Sequence, residues 1–422
     1  MKKIQINNFI EKIFYEKLDN GLEVYLLPLK NKKNYAATYG IKYGGRNVDF
    51  KIGDKVYKTP SGIAHFLEHK MFERDNDPFS FYEKFGTEVN ASTSHDYTQY
   101  YIFGTSDFEN NLEYLINWLK EIDITDELVE KEKGIILEEA SMYKDSPVRI
   151  LNEKIKENVF VNDPYRKKVI GSDSDIKKIT REEIELCFNS FYVPNNMFLI
   201  CVGNFDKDRA IEIIKKNNTK ISSEKVEKIY GNEPDNINKT YEEVEFNLDI
   251  PRISVAYKFN KNLFNNLNIS EFELDLYLHI LISISLGPTS EIREKWIKQN
   301  LFLSSMYKIT ETNTHFVIEF SAISNKPDKL SEELTKYLID LNIDEDSFER
   351  EKKLWISGEV EAISNIQSIK YSIMDDILDY GAYIPNKIEI IKNLNYKNLV
   401  KIKNLLVFKD KATVKLVPKT KK

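Results

Sequence analysis

Cysteine is nearly absent: 422 residues hold two, Cys187 and Cys201. Two thiols cannot build a disulfide framework, so packing must hold the fold, and reduced cytosolic thiols are the expected state. Long apolar runs are missing as well. The longest candidate, LYLHILISISLG, falls short of the 18 or so residues a membrane helix needs and contains His279. No membrane span is expected. The N-terminus opens on two lysines and turns polar before any apolar run, which argues against a signal peptide and for a cytoplasmic location. Positive charge is not in excess: Lys and Arg number 61 against 67 Asp and Glu, for a net charge of −6. That balance gives nucleic acid no basic face to bind, so no nucleic-acid partner is expected.

What is present is a globular composition, 41% hydrophobic and 30% charged, in a chain too long for one core. NGLEVYLLPL (20–29) and AATYGIKYGG (36–45) read as strands joined as a hairpin. A helix follows the Pro/Gly loop at TPSGIAHFLEHKMF. Asp77-Pro78 opens a short helix that Gly86 closes. VNASTSHDYTQYYIFG reads as one or two strands, His95 included. Ser106 with Glu109, and Thr180 with Glu183, have capping-box spacing, and a long helix covers about 125–142. NMFLICVGNF (196–205) is a buried-type strand. The Lys/Asn-rich stretch before residue 240 reads as a linker. The order strand, helix, strands, helix then repeats. The expected fold is α+β: two similar domains, each a mainly antiparallel sheet packed with helices. Residues 1–220 form the first, 221–240 the linker and 241–422 the second.

Histidine is also scarce, with five copies, yet two stand four apart in AHFLEHK. On a helix His69 lies about 40° from His65, and Glu68 about 60° to the other side. All three share one face. Two imidazoles one turn apart can hold one zinc ion, and a neighbouring carboxylate can activate water. Composition predicts only about 0.006 chance matches to HxxEH, the inverzincin sense of the motif. A third ligand is still required, and VEKEKGIILEEASMY (129–143) offers several carboxylates. Glu132 and Glu139 lie about 20° apart on its helical face, beside Ile136 and Ala140. Spacing alone does not choose among the acids there.

HFLEHKMFE and VEKEKGIILEEASMY together resemble the pitrilysin/insulysin family of inverzincin peptidases, whose short bacterial members and mitochondrial processing peptidase match best in length. VPNNMFLICVGNFD and NASTSHDYTQYY add to the resemblance, which covers most of 20–206 and weakens afterwards to SLGPTSEIREKW. By position it implies His65, His69 and Glu139 as ligands of one Zn2+ per chain and Glu68 as general base. Glu132 becomes a supporting carboxylate just outside the ligand set, and Glu138, facing about 100° away, is set aside. It also implies an extended peptide substrate that adds a strand at Asn90-Ala91.

One departure bears on partners. The family often places an Arg and, seven residues on, a Tyr against substrate. Here Arg293 is followed by Asn300. The resemblance therefore implies the zinc-bearing half of a two-subunit peptidase that cleaves peptides or leader segments of small precursors. The partner would be a similar chain lacking HxxEH, or a second copy. The competing expectation is a non-catalytic assembly or binding subunit, which a broken HxxEH or missing distal Glu would mark; both are intact.

Overall fold

The computed structural model describes residues 1–7, 9–74, 77–221 and 224–419. They form two compact units, each α+β and built on one main sheet. The units are interleaved along the chain. The first takes 1–140, 168–230 and 359–387, and the second takes 141–167, 231–358 and 388–422. A single cut at 221–240 therefore does not follow the compact units. That stretch carries the strand Glu227–Ile229, which pairs with Asp49–Ile52. Residues 222, 223 and 420–422 of the expected linker and second domain lie outside the described residues.

The first unit's sheet runs Lys2–Gln5, Lys12–Lys17, Glu23–Pro28, Met197–Gly203, Tyr35–Ile41, Thr98–Gly104, Glu88–Thr93. The expected hairpin of the 20–29 and 36–45 stretches is corrected here: Met197–Gly203 lies between them, parallel to the first and antiparallel to the second. The physical reason is burial. Tyr35–Ile41 and Met197–Gly203 are buried at every residue, so both need neighbours on each side and both faces covered. One face is covered by Ile366–Tyr380, whose Ile366, Ile369, Ile373 and Ile377 pack with Tyr25, Leu27, Phe198 and Val202.

Helix starts are mostly local. Asp77 accepts from Ser80 N at 2.9 Å, and Thr180 with Glu183 forms a complete capping box. Ser106 is an exception: Asp107 in the left-handed region caps Phe108–Trp118, and Ser106 Oγ donates instead to Phe85 O. The second unit's sheet runs Tyr241–Phe246, Lys411–Pro418, Arg252–Asn260, His315–Ile323, Ser304–Glu311. Helix Pro147–Val159 covers one face, with Leu151, Ile155 and Val159 against Ala256, Val317 and Val414.

Candidate metal centre

The helix Ile63–Phe72 is entered through Gly62, at φ 101°. A Cβ there would stand 2.6 Å from Ile170 O, so the close backbone approach needs glycine as much as the dihedral does. Ile63, Ala64, Phe66, Leu67, Lys70 and Met71 are buried. Burying Phe66, Leu67 and Met71 contributes roughly 2 kcal/mol apiece. Trp118 Nε1 donates to Met71 O at 2.5 Å, fixing the helix end. The same packing leaves His65, Glu68 and His69 together on the half-buried face.

Helix Asp126–Lys144 brings the carboxylates. Its buried residues are Val129, Glu132, Ile136 and Ala140, a seam on which Glu132 is inward and Glu139 half-exposed. Glu139 Oε2 stands 3.4 Å from His69 Nε2 and 3.8 Å from His65 Nε2. The imidazole centroids are 4.6 Å apart. His65, His69 and Glu139 each offer one ligand atom within 4.8 Å of the others, the one such group among the described residues. Ligand atoms on a tetrahedral zinc stand roughly 3.3–3.6 Å apart, given bonds of about 2.0–2.2 Å. Two nitrogens and a carboxylate oxygen at these separations fit zinc in chemistry and in span.

Glu132 makes a different contact. Its Oε1 lies 2.9 Å from His69 Nδ1, and its side chain is 6% exposed. A ligand histidine needs its second nitrogen engaged so that the ring keeps one orientation. Burial presses the His69 imidazole down, but Glu132 and Glu139 outweigh it and carry the ring up to about 9.

Glu68 points to the edge strand. Thr93 Oγ1 donates to Glu68 Oε2 at 2.5 Å. Burial raises the Glu68 carboxyl above the usual range, and the Thr93 bond pulls the other way. Thr93 ends Glu88–Thr93, the outermost strand of the sheet, paired on one side only among the described residues. Asn90 and Ala91 lie on that strand opposite Tyr101 and Tyr100. Asn90 Oδ1 accepts from Ala91 N at 2.8 Å. So the structure brings His65, Glu68, His69, Glu132 and Glu139 together and sets Asn90 and Ala91 on the neighbouring edge. Thr93 was missed by the sequence reading; strand alternation, which puts it on the same face as Ala91, was the available signal. His95 lies in the turn after the strand, not in it, and outside the metal group. Arg293, on Glu291–Lys298, donates to Ser305 O at 3.2 Å.

Residues 54–173 match the family model described as insulinase, peptidase family M16, and residues 178–354 match the model described as the peptidase M16 inactive domain. The chain belongs to the peptidase M16 family. It is 29% identical, over the full length of both chains, to an uncharacterized zinc protease, YmfH, of Bacillus subtilis (strain 168). It is 26% identical to a probable mitochondrial-processing peptidase subunit beta of Arabidopsis thaliana, across 41% of this chain and 34% of that one. The crystal structure of a putative M16-like peptidase from Alicyclobacillus acidocaldarius superposes with a TM-score of 0.90 at 27% identity, covering 97% of this chain and 99% of that one. Two similar α+β domains are the M16 architecture in those structures. The HxxEH segment lies in the part matched by the insulinase model. Helix Glu271–Leu286, in the part matched by the inactive-domain model, carries one histidine, His279, and no HxxEH.

Proposed function

We propose that this M16 chain is a zinc-dependent metalloendopeptidase that cleaves peptides or leader segments of small precursor peptides. The observation that carries the reading is the donor set of His65, His69 and Glu139 within 4.8 Å, with Glu68 on the same helix face. Zinc, when held there, supplies Lewis acidity toward the scissile carbonyl and acidifies water. Glu68 accepts the proton of the attacking water and delivers it to the leaving amine. Burial already biases its carboxyl toward carrying a proton, which suits a base that must become an acid within one turnover. Thr93 holds that carboxylate at the end of the edge strand. An extended peptide adding a strand along Asn90-Ala91 then meets Glu68 through main-chain pairing, with little demand on sequence.

No described helix is long and apolar enough to cross a membrane. Free, buried Cys187 and Cys201 support a cytoplasmic location for the activity. Arg293 followed by Asn300, where the family often has Arg and Tyr, supports a two-subunit enzyme. A similar chain without HxxEH would supply the missing substrate contacts; a homodimer is the competing arrangement. A non-catalytic subunit is disfavoured by the intact Glu68 and donor set. Metal analysis with peptide cleavage, wild type against Glu68→Gln, tests the reading. A wild type without zinc overturns the site, and full activity in the variant overturns the mechanism. If the chain alone is inactive, adding the partner should restore cleavage.

A further inference from the structure

The second unit, which lacks a metal group among its described residues, holds a cavity of about 400 Å³ at the edge of its sheet. The size suits several residues of a peptide or a compact organic molecule. Three cross-strand rows build its floor. Arg252, Ile323 and Ser304 make one row; Ser321 and Met306 the next; Glu319 and Lys308 the third. Alternation puts all of them on the sheet face that helix Pro147–Val159 partly covers. Val148 and Leu151 of that helix form the apolar wall.

Charge in this recess is unbalanced. Arg252 and Lys308 line it, and neither side chain has a hydrogen-bond or ion-pair partner among the described residues. Lys156, deeper on the helix, feels Lys308 as a repelling charge and is pushed down to about 8, chiefly by burial. Glu153 and Glu319 are the acids that act on Lys156. Glu319 is already engaged by two hydroxyls, accepting from Ser254 Oγ at 2.6 Å and Ser321 Oγ at 2.7 Å. Along the lining itself two cations, Arg252 and Lys308, stand against one carboxylate, Glu319, and beside an apolar wall they complement an anion on an apolar body. The cavity also runs along Ser304–Glu311, the outermost strand, which has no further strand beside it among the described residues.

We propose that this recess binds the C-terminal end of a peptide: Arg252 and Lys308 hold the free carboxylate, Val148, Leu151 and Met306 take an apolar side chain, and the main chain runs along Ser304–Glu311. The assignment of a peptide as occupant rests on the peptidase reading. It adds a non-catalytic anchor in the unit without the metal group. Free carboxylate against amide is the decisive comparison, because only the carboxylate completes the charge balance.

The test is fluorescence anisotropy on the full, zinc-loaded chain carrying Glu68→Gln, so that binding is read without cleavage. The probe is an N-terminally labelled hexapeptide ending Leu-Leu, as free acid and as amide. The free acid should bind roughly tenfold more tightly, the size of one charge-assisted contact. Arg252→Gln should abolish that preference, and Lys308→Gln, a second variant on the outermost strand, should reduce it. Equal binding of acid and amide, or a preference that survives both substitutions, overturns the proposal. Decanoate that competes as well as the free-acid peptide overturns the peptide as occupant. Cleavage by wild type without an acid preference leaves the peptidase reading and removes this anchor. An acid preference in a chain that cleaves nothing removes the peptidase reading and leaves the carboxylate site.

Discussion

Glu132 Oε1 stands 2.9 Å from His69 Nδ1, while His69 Nε2 faces Glu139 Oε2 at 3.4 Å. One imidazole thus joins two carboxylates from the same helix, seven residues apart. Glu132 is the more buried, and it holds the ring; Glu139 is the more open, and it faces the position a metal would take. Glu132→Gln should therefore lower zinc affinity by about 10–100-fold without removing a ligand. Competition with a chromophoric chelator measures it, and an unchanged affinity would show that Glu132 does not orient His69.

Thr93 acts through Glu68. Thr93→Val removes the hydroxyl that donates to Glu68 Oε2. We expect kcat to fall about tenfold with KM unchanged, and Thr93→Ser to restore it. A matching rise in KM, or no rescue by serine, would mean that Thr93 only shapes the strand.

Gly62 sets the entry to the metal helix. Gly62→Ala forces a Cβ against Ile170 O at a positive φ. The expected cost is about 2–4 kcal/mol from dihedral strain and overpacking together, read as a drop in unfolding midpoint. A loss below about 0.5 kcal/mol, the range of an ordinary surface change, would show that the backbone there yields.

Lys370 gives a pH-dependent test away from the metal. Its Nζ is buried with no hydrogen-bond partner among the described residues. It lies 4.5 Å from the Tyr101 ring centroid and 3.9 Å from that of Tyr371. Burial pushes the ammonium down to about 8. A depressed folded value means stability is present above the unfolded value of 10.5 and lost as pH falls through about 8. The penalty is offset in part by the aromatic faces. Lys370→Met should gain about 1–3 kcal/mol below pH 8, a gain that shrinks to nothing above about pH 10.5. Denaturant unfolding of both proteins at pH 7 and pH 10 checks it; an equal difference at both pH values contradicts it.

The parts of the site that were legible in the sequence are those fixed by one helix. His65, Glu68 and His69 share a face because of helical geometry alone. Glu139 was not legible from spacing, because the Asp126–Lys144 helix carries several acids and only the resemblance singled one out. The structure separates Glu132 from Glu139 by burial, which depends on how that helix sits against Ile63–Phe72. Partners distant in sequence stayed hidden. The stretches around residues 24 and 38 look like a hairpin until residues 197–203 are seen to enter between them. Helices Pro147–Val159 and Ile366–Tyr380 went unread, and each covers a sheet built mostly from the other end of the chain. Thr93 shows no signal in composition, and its role exists only where the strand end meets Glu68.

The most direct test of the central claim is cleavage of a model peptide by zinc-loaded Glu68→Gln beside wild type, with zinc content measured on the same samples. Both proteins should hold one zinc per chain, and the variant should cleave at least about 10²-fold more slowly. Wild-type rates in the variant at equal zinc content would contradict the account.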